Sequence, residues 1–138
     1  MDPNPTVRLV RSPDLTDEAP YAYAAVPPPG ARLVFTAGAC PLDAAGATVA
    51  PGDLAAQAEQ VMQNLRIALH AAGAALDDVL KTTVYVATQR REDLLTAWEV
   101  VRRHFGSHDA PSTLLGVSVL GYPDQLVEVE AVAAVHDA

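Results

Sequence analysis

Ten residues, Leu126-Val-Glu-Val-Glu-Ala-Val-Ala-Ala-Val135, alternate too regularly for a helix and too evenly for a loop. In an extended chain Val127, Val129, Ala131, Ala133 and Val135 share one face. Leu126, Glu128, Glu130, Val132 and Ala134 share the other. The first face belongs in a core. The second is apolar as well, apart from two carboxylates, so whatever covers it meets charge. The run before it, Thr113 to Leu120, is also rich in strand formers, and Gly121-Tyr122-Pro123-Asp124 is turn chemistry. The pattern predicts a closing pair of strands over 111–135, joined as a hairpin.

Upstream, the chain reads as one domain. Residues 1–19 are rich in Pro and Asp around one short β-like run, Val7 to Val10, which predicts a loose arm or an edge strand. Residues 20–138 then form a single α+β domain. Pro20 to Val26 and Arg32 to Gly38 read as strands, and the turn Pro27-Pro-Pro-Gly30 between them predicts a hairpin. Asp53 is placed to cap a first helix whose apolar stripe runs through Leu54, Ala58, Val61, Leu65, Leu69 and Ala72, with Gly73 as its stop. Asp78 to Ala87 is β-branched and reads as a strand. A second helix follows from about Arg91 to Phe105, facing inward through Leu94 or Leu95, Trp98, Val101 and Phe105, and Gly106 ends it.

Two helices cover only one side of such a sheet. The remaining side keeps its Leu, Val, Ala and Thr together with Glu128 and Glu130. An apolar face of that extent predicts association with further copies of the chain, with clefts between subunits. Seventeen acids against nine Lys and Arg, a formal charge of −8, provide no basic footprint for nucleic acid. No apolar run has the length of a membrane span. The start of the sequence does not resemble a signal peptide, and the single cysteine, Cys40, has no internal disulfide partner. A cytoplasmic protein is expected.

Several segments together resemble the Rid family, the YjgF-like or L-PSP group of reactive-intermediate deaminases. They are Leu33 to Gly38 with Cys40-Pro41, the helical run Ala56 to Asn64, Asp78 to Val86, Pro111-Ser112-Thr113, and Val127 to Ala131. The resemblance spans roughly Tyr21 to Val135. It implies a chorismate-mutase-like fold of the bacillus type, a mixed sheet with two helices on one face. It also implies a homotrimer with an active site at each subunit interface. Activity by analogy is hydrolysis of an enamine or imine to a carbonyl compound and ammonia, with neither metal nor organic cofactor. The position matching Glu128 orients or activates water, Tyr21 and the backbone around Gly38 line the pocket, and an Arg immediately before Ser112 grips the substrate carboxylate. Here that position holds Pro111, which offers no donor.

The candidates have plainer readings too. Glu128 is a catalytic acid/base or a solvated strand carboxylate, and Glu130 reads as an ion-pair partner across subunits. Tyr21 donates a hydrogen bond from the pocket wall or simply packs. Ser112 and Thr113 bind a ligand or are ordinary strand residues, since no histidine motif activates either as a nucleophile. Cys40, at a strand end where pockets form, is a pocket residue or a small buried hydrophobe. Trp98 is core or pocket floor. His104 and His108 are separated by the helix-ending Gly106, so no metal site is expected. The expected partner is a small-molecule ligand. The functional alternatives are a deaminase acting on a C=N bond and a non-catalytic metabolite-binding trimer; ribonuclease activity is disfavoured by the acidic charge.

Overall fold

The computed structural model describes residues 7–136. The first six residues of the expected N-terminal arm therefore lie outside the described residues. Among the described residues, six strands and two helices form in the order β1 (Arg8–Val10), β2 (Ala24–Val26), β3 (Arg32–Phe35), α1 (Leu54–Ala71), β4 (Val79–Ala87), α2 (Arg91–Phe105), β5 (Ser112–Val117) and β6 (Val127–Val135). A short 3-10 turn, Leu76–Asp78, leads into β4.

The main sheet has the order β3-β6-β4-β5. Strand β6 is antiparallel to both β3 and β4, whereas β4 and β5 run parallel, joined by the α2 crossover. Both expected hairpins are thereby overturned. Strand β2 pairs with β1 in a separate two-stranded sheet, and β3 pairs with β6. Strand β5 does not pair with β6; it takes the outer position beside β4. Alternation assigns a residue to a face of its strand but says nothing about which strand lies alongside. The Pro27–Gly30 turn and the stretch between β5 and β6 act as crossings.

Helix α1 begins where Asp53 accepts a hydrogen bond from the Ala56 amide, and ends before Gly73, whose φ is +83°. Its stripe of Ala58, Val61, Met62, Leu65 and Leu69 is fully buried against the face of β6 that carries Val127, Val129, Ala131 and Ala133. Helix α2 adds Ala97, Val100 and Val101; of the two leucines, Leu94 packs inward and Leu95 is exposed. Both helices therefore lie on one side of the sheet. The other side carries Leu33, Phe35, Lys81, Thr83, Tyr85, Thr113, Leu115, Glu128, Glu130 and Val132, with Phe35 71% and Leu33 50% exposed. Among the described residues no helix is long and apolar enough to cross a membrane.

Candidate active site

Beyond Thr36, whose N–H still donates to Ala131 O (3.0 Å), strand β3 parts from β6. Phe35 stands opposite Val132, and the next bridge joins Ala39 to Val129, so four steps on one chain answer three on the other. This extra residue makes a bulge. The bridge is closed by Ala39 N–H to Val129 O (2.7 Å) and Val129 N–H to Ala39 O (3.2 Å). The bulge carries the backbone of Gly38 over the side chain of Glu128. A Cβ at position 38 would lie 2.2 Å from Glu128 Oε2 and 2.5 Å from its Cδ, so glycine alone leaves the carboxylate where it stands.

The other carboxylate oxygen is occupied. Glu128 Oε1 accepts from the Cys40 thiol (3.2 Å) and from Gln125 Nε2 (3.1 Å). Burial, and then the hydrogen bond to Glu128, push the Cys40 thiol up to about 11. At neutral pH it is a protonated donor, unsuited to attack as a thiolate. The loop bearing Cys40 is held from α1, where Asn64 Nδ2 donates to Cys40 O (2.8 Å) and Leu42 O (2.9 Å). Gln57, fully buried in α1, fastens the loop before β6: its Nε2 donates to Asp124 O (2.9 Å) and its Oε1 accepts from Leu126 N–H (2.8 Å).

Glu130, one step along on the same face, accepts from the Tyr85 hydroxyl at 2.7 Å, and this contact raises the Tyr85 pKa. That carboxylate thus has a partner within its own chain.

The remaining candidates gather elsewhere. Tyr21, Trp98, Ser112, Thr113 and Leu114 line a cleft of about 430 Å³ along the outer edge of β5. The Tyr21 ring meets Trp98 edge-on, with centroids 6.4 Å apart. Ser112 and Thr113 point to opposite faces. Ser112 accepts from Thr82 Oγ1 on the helix side (2.7 Å), and Thr113 accepts from Lys81 Nζ on the open side (2.6 Å). Pro111 is buried, and its carbonyl accepts from Thr82 N–H.

Glu128 stands opposite Tyr85 and Ser112 opposite Thr82, on opposite flanks of β4. Three residues of rise and two strand spacings put their Cα atoms roughly 14 Å apart. One chain thus brings Glu128, Gly38 and Cys40 together at one place, and Tyr21, Trp98, Ser112 and Thr113 at another. Among the described residues no three of His, Cys, Asp and Glu cluster as metal ligands. Gln125 was not anticipated from the sequence, nor were the strapping roles of Gln57 and Asn64. The last two carry a legible signal, because they are polar residues in phase with the buried Val61 and Leu65.

Comparison with known proteins places the chain. The model of the endoribonuclease L-PSP family matches residues 14–135. A RutC family protein of Pyrococcus horikoshii is 35% identical over 102 residues, 74% of this chain and 79% of that protein. The 2-iminobutanoate/2-iminopropanoate deaminase of Escherichia coli K12 is 33% identical over 104 residues, covering 74% and 79%. Among solved structures, the Rid family protein YyfB of Yersinia pestis superposes with a TM-score of 0.84 at 28% identity, over 94% of this chain and 99% of that one. TdcF of Escherichia coli, solved with bound serine, gives 0.65 at 28% identity, over 86% and 97%. The α+β fold, with its mixed sheet and two helices, is that of these structures, and the chain belongs to the L-PSP family, also called Rid or YjgF-like.

Proposed function

We propose that this protein hydrolyses the C=N bond of a small imine, or of the enamine that tautomerises to it, in clefts between the subunits of a homotrimer. The observation that carries the reading is the Glu128 carboxylate, held through Oε1 while Oε2 lies against a glycine backbone. A fixed carboxylate with one uncommitted oxygen is suited to take a proton from water as the water oxygen attacks the imine carbon. The carbinolamine so formed receives a proton on nitrogen and loses ammonia, and its hydroxyl proton leaves as the carbonyl closes. One water is consumed, and nothing is oxidised or reduced.

The trimer supplies what one chain lacks. Burying the open sheet face against two neighbours removes Phe35 and Leu33 from water. It also brings the Tyr21–Trp98–Ser112–Thr113 edge of one subunit toward the Glu128 of the next. The relatives whose names specify 2-iminobutanoate and 2-iminopropanoate as substrates support the reaction class. Pro111 modifies the substrate. It stands where the family resemblance puts a carboxylate-gripping Arg, and it has no N–H to offer. The favoured substrate therefore does not depend on a carboxylate held at that point, which sets this protein apart from a standard 2-imino acid deaminase.

The test is direct. 2-Aminoacrylate, and amine-derived imines without a carboxylate, are generated in situ, and release of ammonia and of the carbonyl product is followed with wild type and Glu128→Gln. Faster release with wild type than with Glu128→Gln, larger for the uncarboxylated imines, is the expected outcome. The second reading, a non-catalytic metabolite-binding trimer, is favoured by Pro111 itself. It takes over if neither imine is accelerated above buffer while small metabolites quench Trp98 fluorescence.

A further inference from the structure

Two glutamines flank the last turn before β6, and they do different work. Gln57 reaches from α1 and secures the main chain. Gln125, only 4% exposed, spends its amide on three partners: its Oε1 accepts from Tyr122 N–H (3.1 Å), and its Nε2 donates to Val127 O (3.1 Å) and Glu128 Oε1 (3.1 Å). The amide has one workable orientation. Turned over, it would set its oxygen against a carbonyl and its NH2 against a backbone N–H. Two backbone groups thus decide that an NH2 faces the carboxylate. The thiol of Cys40 supplies a second donor to the same oxygen, and the backbone of Gly38 limits how far the carboxylate can swing.

We infer that Gln125, with Cys40 as its counterpart, is a positioning residue that turns the Glu128 carboxylate so that Oε2 alone handles the substrate's protons. This rests on Glu128 being the water-activating group. Both donors fall on Oε1, and a carboxyl protonated on Oε2 still accepts from both, so Glu128 can gain and lose its proton without breaking either bond. The arrangement suits a group that must act first as base and then as acid within one turnover. Gln125 touches no reacting atom in this scheme; it acts through Glu128.

The decisive comparison is Gln125→Met, which keeps the volume and loses the donors, measured for turnover, melting temperature and thiol reactivity. The expected result is a fall in kcat of roughly 10- to 100-fold with KM nearly unchanged, the pattern of a misaimed catalytic group. A kcat within twofold of wild type, or a rise in KM alone, overturns the inference. Because Gln125 also secures the turn, a second pair guards against a folding artefact: Cys40→Ser keeps a donor and Cys40→Ala does not. Serine must retain clearly more turnover than alanine, and equal loss in both counts against the inference. A readout independent of turnover is alkylation of the single cysteine at fixed pH. Glu128 holds the thiol pKa up and Gln125 draws it down, so Glu128→Gln speeds alkylation and Gln125→Met slows it. If wild type hydrolyses no imine but these opposite shifts appear, the proposed reaction fails and the positioning stands. If imines turn over and Gln125→Met leaves both kcat and alkylation untouched, the positioning fails alone.

Discussion

Replacing Gly38 by alanine adds one methyl group at the most crowded point of the candidate site. The new Cβ would lie 2.2 Å from Glu128 Oε2, against the 3.4 Å at which ordinary contact begins, so the carboxylate must withdraw by about 1.2 Å. The backbone cannot yield in its place, because the Ala39–Val129 bridge clamps the next residue to β6. A carboxylate displaced that far cannot keep both hydrogen bonds on Oε1. Bonds to a charged acceptor are worth about 1.5–3 kcal/mol each, so losing one of them, with some side-chain strain, gives a destabilisation of about 2–3 kcal/mol. The kinetic effect is larger in proportion, since a misplacement of about 1 Å costs on the order of 100-fold in rate. The assay pairs urea denaturation with imine hydrolysis on the same preparations. Gly38→Ala is expected to fold, to melt earlier, and to lose about two decades of kcat. A variant with wild-type kcat and stability would refute the reading that the Gly38 backbone limits where the Glu128 carboxylate can stand.

Three further outcomes are expected. Phe35→Asp places a charge on the most exposed aromatic of the open face, and light scattering should find a monomer in place of the trimer proposed for wild type; an unchanged mass removes that face from the interface. Leu65→Ala empties a fully buried position between α1 and the sheet and should cost about 2–5 kcal/mol by chemical denaturation, with less than 1 kcal/mol counting against the core described. His104 is partly buried beside Arg66 and Arg103, and burial followed by those charges lowers its pKa below the usual 6.5; its contact with Glu59 is shared with Arg103. The unfolded chain then takes up this proton first, so stability is full above about pH 6.5 and drains as pH falls toward the depressed value. His104→Gln should flatten that part of the stability profile; an identical slope in both proteins would exclude His104 as its source.

The periodic segments were legible because burial imprints itself on sequence at a fixed spacing. The alternation from Leu126 to Val135 announced a strand with Val127, Val129, Ala131 and Ala133 inward, and Asp53 and Gly73 marked both ends of α1. Strand partnership left no such imprint. Thr113 to Val117 carries the same strand chemistry whether it lies beside β4 or β6, and the choice is made by the α2 crossover and the packing of its helix. The site divided in the same way. Glu128 and Glu130 stood out as the charges on an otherwise apolar strand face, and family resemblance singled out Glu128 together with Gly38 and Cys40. Gln125 precedes the alternating run and follows a turn, where a polar residue is ordinary; only the loop's conformation, with Asp124 at φ +62°, directs it inward.

Strand β6 lies between β3 and β4, although both precede it in the chain by many residues. Until β6 is synthesised, β3 has no neighbour in the main sheet, and α1 has α2 beside it but not the strand that carries Val127, Val129, Ala131 and Ala133. A nascent chain that has emerged only as far as β5 holds a β4–α2–β5 unit with one flank of β4 bare, an invitation to pair with another ribosome's product. The insertion of β6 that completes the sheet is also what sets Glu128 beneath Gly38.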